Sequence, residues 1–228
     1  MTNPSIDAII VGGGSGTRLG AAAPKAFIPL AGKPLFLYSL EQFNAHESIG
    51  TIIFVVPEPV VEQTKKIVPV PRKPLLIVAG GAERWMSVRN GVGHSKAEWV
   101  LVHDVARPLV TRAVIDALLD TSKKYECAVT ATPVVDTIRT FDGADRTLGT
   151  VDRSTLLRVG TPQLFKRQAL MAAFDKAPLL DKPPTDEAVL MELSGIAVGW
   201  APGDPMNFKI TTQQDLELAE AIVAYRKK

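Results

Sequence analysis

Five runs of the chain are apolar almost throughout: IDAIIVG (6–12), TIIFVVP (51–57), PLLIVAG (74–80), EWVLVHD (98–104) and CAVTATPV (127–134). A strand with one wet face alternates apolar and polar residues. These runs do not alternate, so each needs cover on both faces. Between them lie stretches with apolar residues at helical spacing: KPLFLYSLEQFNAH (33–46), PVVEQTKKIV (59–68), ERWMSVRNGVGHS (83–95) and RAVIDALLDTSKKY (112–125). Strands alternating with helices predict an α/β fold, with a Rossmann-like, mostly parallel sheet, helices on both faces and right-handed crossovers.

The alternation stops after the fifth run. Residues 136–160, DTIRTFDGADRTLGTVDRSTLLRVG, are rich in Thr and Arg and carry a glycine turn between short extended pieces. This predicts a β-hairpin arm at about 136–157, projecting from the sheet. Helices near 166–177 and 185–195, a strand at 196–203 and a final helix from Gln213 follow, with a Pro-rich loop at APLLDKPPTDE. The 228 residues suit one domain carrying an arm.

Composition narrows the partners. A net charge of +2 argues against a general nucleic-acid binder, and no apolar run approaches the length of a membrane span. The polar lead MTNPS does not resemble a signal peptide. Cys127 is the one cysteine, so no intrachain disulfide and no Cys cluster for zinc are available. A cytoplasmic protein is the expectation.

VGGGSGTRLG (11–20) follows the first run. Glycine costs backbone entropy, so such a cluster needs a reason. Neither G-x-G-x-x-G nor G-x-x-x-x-G-K-[ST] fits in any register. A plain turn with a solvated Arg18 is one reading. The other is a phosphate cradle, in which glycines let backbone N–H groups approach a polyphosphate at the carboxyl edge of a sheet. Arg18 supplies a forked cation, and Lys25, stiffened by Pro24, supplies a second.

GGGSGTRLG followed by PK resembles the signature of nucleotidyltransferases, which join a nucleoside triphosphate to a phosphate monoester. GGAERWMSVRNG (80–91) resembles the segment by which cytidylyltransferases read the base. A carbonyl near Gly80 can accept from the cytosine amino group, and an N–H near Ala82 and the Ser87 hydroxyl can donate to its acceptors. Alone, Ser87 reads as a helix-surface hydroxyl and Arg84 as a brace for the loop. VHDVARP, TPVVDTI, TVDR, GTPQLF, TDEA and NFKITT complete the set. In this order they resemble the 2-C-methyl-D-erythritol 4-phosphate cytidylyltransferase family, over nearly the whole chain.

The resemblance implies Arg18, Lys25 and Lys209 as catalytic cations on the triphosphate and the reacting phosphates. It implies Gly12, Gly13, Gly14, Gly16, Gly80, Gly81, Ala82, Ser87 and Asp104 around the nucleotide. It implies Arg107, Thr137, Arg153, Thr161 and Thr185 around the methylerythritol phosphate. The partners it implies are CTP, a polyol phosphate and a second copy of the chain bound through the arm. The cofactor is Mg2+, held mainly by the CTP phosphates, because no carboxylate cage is evident and magnesium keeps several waters. His46, His94 and His103 have no ligand spacing, so no protein metal site is expected. Ribitol-5-phosphate cytidylyltransferases share the core, but HDVARP, TVDR and GTPQ disfavour them. A sugar-nucleotide pyrophosphorylase using UTP or TTP is disfavoured by GGAERWMSV. A non-catalytic nucleotide-binding regulator is disfavoured by the presence of Arg18, Lys25 and Lys209 together.

Overall fold

The computed structural model describes residues 5–14 and 24–226. The chain runs β1 (Ile6–Val11), a two-residue hairpin β2 (Pro29–Leu30) and β3 (Lys33–Pro34), α1 (Leu35–Ala45), β4 (Ile49–Val56), α2 (Val61–Ile67), β5 (Leu75–Ala79), α3 (Arg84–Gly93), β6 (Trp99–Asp104), α4 (Arg112–Thr121) and β7 (Cys127–Pro133). Then come β8 (Ile138–Phe141), β9 (Thr147–Val151), β10 (Leu157–Lys166), α5 (Arg167–Ala173), α6 (Ala188–Leu193), β11 (Val198–Pro202) and α7 (Gln213–Arg226).

Among the described residues, seven strands form one sheet in the order β11–β7–β10–β6–β1–β4–β5. β1 pairs in parallel with β4 and β6, β4 with β5, and β11 with β7. All six residues of β1 and all six of β6 are buried, which is why these strands lack alternation. Even Asp7 is inside. Its carboxylate accepts from the Thr51 N–H at 2.8 Å and the Ser95 hydroxyl at 2.6 Å, tying β1 to its neighbours. Ile6, Ala8 and Ile10 point to one face and pack with Phe36 and Phe43 of α1 and Val114, Ile115 and Leu118 of α4. Ile9 and Val11 point to the other and pack with Trp85, Val88 and Val92 of α3, Leu170 of α5 and Leu190 of α6.

The sheet holds one reversed strand that the sequence reading did not identify. β10 runs antiparallel to both β6 and β7. Only its second half, Gln163 to Lys166, pairs with β6, while its first half, Leu157 to Gly160, pairs with β7 alone. β7, the arm and β10 thus make one long hairpin. Antiparallel neighbours allow this, whereas parallel ones need a crossover. The tip is the expected arm: β8 and β9 pair with each other in a separate two-stranded sheet and are almost wholly exposed.

β1, β4 and β6 end in register: Val11 lies beside Val55 and Asp104. Beneath that edge sits Phe54, fully buried, with its ring 5.2 Å from that of Phe36. A Cβ on Gly12 would lie 2.9 Å from the Phe54 ring, so glycine is what lets the chain leave β1 over this aromatic floor. Phe54→Ala is expected to lower stability by about 3–5 kcal/mol, the range for deleting a buried phenyl group. Equilibrium urea unfolding measures it; a loss under about 1 kcal/mol would show that the floor collapses without cost.

Candidate active site

Several chain segments meet at the carboxyl edge of the parallel strands. The Gly12 N–H donates to the Val55 carbonyl at 2.8 Å, and the Lys25 N–H donates to the Gly14 carbonyl at 2.9 Å, closing the base of the glycine loop. Lys25 is nearly buried, and its ammonium donates to the Ile210 carbonyl at 2.9 Å. The Ile210 N–H in turn donates to the Ala106 carbonyl at 2.8 Å. These bonds fix the neighbouring Lys209 against the turn after β6.

The loop before α3 is braced by Ser87. Its Oγ accepts from the Gly81 N–H at 3.0 Å and lies 3.2 Å from the Glu83 carbonyl, to which it donates. Gly80 and Gly81 have no room for side chains: a Cβ would lie 2.7 Å from Ser87 Oγ and 2.3 Å from Met86 Cβ respectively. The Glu83 carboxylate accepts from the Trp85 indole N–H.

Asp104 is the electrostatic centre. Oδ1 accepts from Arg84 Nε at 2.9 Å and Oδ2 from Lys209 Nζ at 2.8 Å. Burial works against its charge, but Arg84 and Lys209 outweigh it and hold the carboxyl well below the usual carboxylate range. Arg84 Nη1 also bonds both oxygens of Glu187, each at 2.8 Å, and the Glu187 side chain is wholly buried. Burial pushes the Glu187 carboxyl up, and the Arg84 guanidinium opposes it.

Two cavities open here. The first, about 280 Å³, is bordered by Gly13, Gly14, Lys25, the 81–84 loop, Ser87, Asp104 and Lys209. The second, about 320 Å³, is bordered by Arg107, Arg158, Gly160, Thr161, Asn207 and again Lys209, among others. Of the residues expected from sequence, Gly13, Gly14, Lys25, Gly81, Ala82, Ser87, Asp104 and Lys209 meet at the first cavity, and Arg107 and Thr161 at the second. Gly12 and Gly80 sit behind the lining, packed on Phe54 and Ser87. Arg18 and Gly16 lie outside the described residues. Thr137, Arg153 and Thr185 are exposed and border neither cavity; the Arg153 guanidinium donates to the Val135 carbonyl within the base of the arm. Among the described residues no cluster of three His, Cys, Asp or Glu side chains is arranged for a metal.

His103 links the cavities from beneath. A carbonyl only accepts, so Nε2 carries the proton it donates to the Arg107 carbonyl at 3.0 Å. Nδ1 then accepts from the Thr161 hydroxyl at 3.2 Å, while Thr161 Oγ1 accepts from the Asp104 N–H at 3.0 Å. Sequence reasoning did not identify this strut, nor Glu187 as the partner of Arg84, nor Arg158. Glu187 lay within the TDEA motif; Arg158 carried no signal beyond its charge.

Gly13 and Gly14 at the carboxyl edge of the parallel strands, with Lys25 and Lys209 beside them and a second cationic cavity alongside, form a cleft suited to phosphate-bearing ligands. The model of the 2-C-methyl-D-erythritol 4-phosphate cytidylyltransferase family matches residues 6–225, and the chain belongs to that family. Proteins of that name from Nocardia farcinica and Aeromonas hydrophila are similar to it. The first is 40% identical over 224 residues, covering 97% of this chain and 95% of its own. The second is 38% identical over 217 residues, covering 95% and 88%. A crystal structure of 4-diphosphocytidyl-2C-methyl-D-erythritol synthase from Anaerococcus prevotii superposes with a TM-score of 0.85 at 26% identity, covering 98% of this chain and 100% of that one. The cytidylyltransferase structure from Thermus thermophilus gives 0.79 at 29% identity, covering 96% and 99%.

The His103 strut generates a pH prediction. Burial pushes the ring down from the usual 6.5 to about 4, so it is neutral in the folded chain. Between those values the unfolded chain binds a proton that the folded chain does not. This contribution is therefore complete above pH 6.5 and is lost as pH falls toward 4, by on the order of 3 kcal/mol. Glu187, raised by burial, acts in the opposite sense. Urea unfolding across pH 4–7 is expected to show the loss, and His103→Gln to flatten it. An unchanged slope in that variant would contradict the assignment.

Proposed function

We propose that this chain transfers the cytidylyl group of CTP to 2-C-methyl-D-erythritol 4-phosphate, giving 4-diphosphocytidyl-2-C-methyl-D-erythritol and pyrophosphate. This is a step of non-mevalonate isoprenoid synthesis, and the expected compartment is the cytoplasm. Family membership supports the reaction, and one observation supports its geometry: Lys209 borders both cavities. The nucleotide takes the first cavity, with its base on the 80–87 loop and its phosphates toward the glycine turn and Lys25. The acceptor takes the second, against Arg107 and Thr161.

An acceptor phosphate oxygen attacks the α-phosphorus of CTP in line. The bond to the bridging oxygen breaks, and pyrophosphate leaves with that electron pair. The nucleophile is already an anion, so no strong base is required. The obstacle is repulsion between two polyanions, which Lys25, Lys209 and Arg18 oppose. Both Asp104 oxygens are engaged by cations and Glu83 by Trp85, a donor set that fits a metal delivered on the triphosphate better than a protein cage. When bound, Mg2+ would neutralise phosphate charge beside Asp104.

The arm supports a homodimer. It exposes Val135, Ile138, Phe141 and Leu148, and an isolated two-stranded ribbon is marginal in water. In a two-fold pair each arm reaches the other subunit and brings Thr137 and Arg153 to its acceptor.

Pyrophosphate release with CTP and a series of polyol phosphates tests the reaction. Turnover is expected with the methylerythritol phosphate and not with ribitol 5-phosphate. UTP should be about tenfold poorer or worse, because one buried hydrogen bond becomes two facing acceptors. Lys209→Ala should lose about 100-fold in turnover. Equal rates with CTP and UTP would sink the base assignment. Co-refolding tests the arm. Lys25→Ala and Arg153→Ala, each nearly inactive, should together form mixed dimers with up to about half of normal activity. Mixed dimers without recovery would exclude sharing.

A further inference from the structure

Three cations border the second cavity, Arg107, Arg158 and Lys209, and they differ in their partners. Lys209 is paired with Asp104. Among the described residues, neither Arg107 nor Arg158 makes a salt bridge. Arg107 Nη1 donates to the Asn207 carbonyl at 3.1 Å, and its Nε is buried with no partner. Arg158 Nε donates to Thr132 Oγ1 at 3.3 Å, opposite it on β7, and among the described residues its Nη groups make no hydrogen bond. The one acidic residue on the cavity wall, Asp204, is already engaged: one oxygen accepts from the Met206 N–H at 2.8 Å and the other from Arg226 at 3.2 Å. Burial weakens the hold of Arg107 on its proton, the nearby charge of Asp104 opposes this, and the charge of Arg158 adds to the weakening.

Gly160 leaves room for the Arg107 guanidinium at this cavity. It stands two residues after Arg158, and a Cβ there would lie 3.2 Å from Arg107 Nη1. Two like charges on a concave wall repel. A dianion between them relieves that repulsion and takes up the unused forked donors.

We propose that Arg158 forms, with Arg107, an anion clamp that grips the phosphate of the acceptor from within its own subunit. The inference rests on the reading that the acceptor fills the second cavity. It adds an anchor independent of the arm, since Arg158 borders the cavity in the single chain, whereas Arg153 borders neither cavity there.

The test compares the full-length protein with Arg158→Ala and Arg158→Lys. Acceptor and CTP are varied in turn, and binding of inorganic phosphate is titrated separately. Arg158→Ala is expected to raise the acceptor KM about tenfold, to leave the CTP KM within about twofold, and to weaken phosphate binding by a similar factor, in line with losing a charged hydrogen bond at a wet site. Arg158→Lys should recover part of both losses, because a point charge keeps attraction without the fork. An unchanged acceptor KM overturns the clamp, as does an equal rise in both KM values. So does a defect that disappears at high protein concentration, which would make Arg158 a subunit contact. If the wild type releases no pyrophosphate with any acceptor, the proposed reaction fails. The phosphate titration then still decides the clamp: equal binding by wild type and Arg158→Ala rejects it.

Discussion

Asp104 is a carboxylate at the buried end of a central strand, and the site is arranged around the need to compensate it. A charge in that position is tolerated only when it is paired and hydrogen-bonded. The chain meets this with Arg84 from the start of α3 and Lys209 from the segment before α7. Arg84 is itself largely inside, so it takes Glu187, from the end of the Pro-rich loop. Four side chains alternate in sign, and their formal charges cancel. Removing Arg84 from this chain strands the buried Glu187 carboxylate, typically at about 3–5 kcal/mol. The network therefore fixes where three distant segments meet, which is a stronger constraint than any one of its bonds.

The reversed strand does the complementary work. Entering from the arm, β10 brings Thr161 beside the Asp104 N–H and the His103 ring. The register between β10 and β7 slips between Gly160 and Gln163, just where Thr161 turns to its neighbours. Asn207 then donates to the Thr161 carbonyl at 2.9 Å, and Arg107 to the Asn207 carbonyl. The wall of the second cavity is thus continuous with the floor of the first. An arm that leaves β7 and returns as β10 necessarily projects from the edge where both cavities open.

Much of this was legible in the sequence, for identifiable reasons. The parallel strands declare themselves because burial on both faces forbids alternation, as in Ile6–Val11. Two of the glycines have a steric reason, since a Cβ would crowd the Phe54 ring at Gly12 and Ser87 at Gly80. β10 was not read as a strand. Its first half is exposed and shows no buried face, and its buried half is too short to stand out after Gly160 and Pro162. The ion network was unreadable for a different reason: Arg84 and Glu187 are 103 residues apart, and Asp104 and Lys209 are 105 apart. Nothing local marks a charge that will be buried. Thr137, Arg153 and Thr185 came from resemblance alone, and in the single chain they stand away from both cavities.

The two cations on Asp104 are not equivalent. The Lys209 side chain is 43% exposed, against 26% for Arg84. Lys209 ends a flexible stem, whereas Arg84 is locked by both oxygens of Glu187. A phosphate group placed in the first cavity would compete with Asp104 for Lys209. If Arg84 were absent, surrendering Lys209 would leave a buried carboxylate alone, and the phosphate would have to overcome that cost. With Arg84 in place, Asp104 keeps a cationic partner even where Lys209 is drawn away from it. The network thus holds at the junction of the two cavities a cation whose departure would leave Asp104 still paired with Arg84.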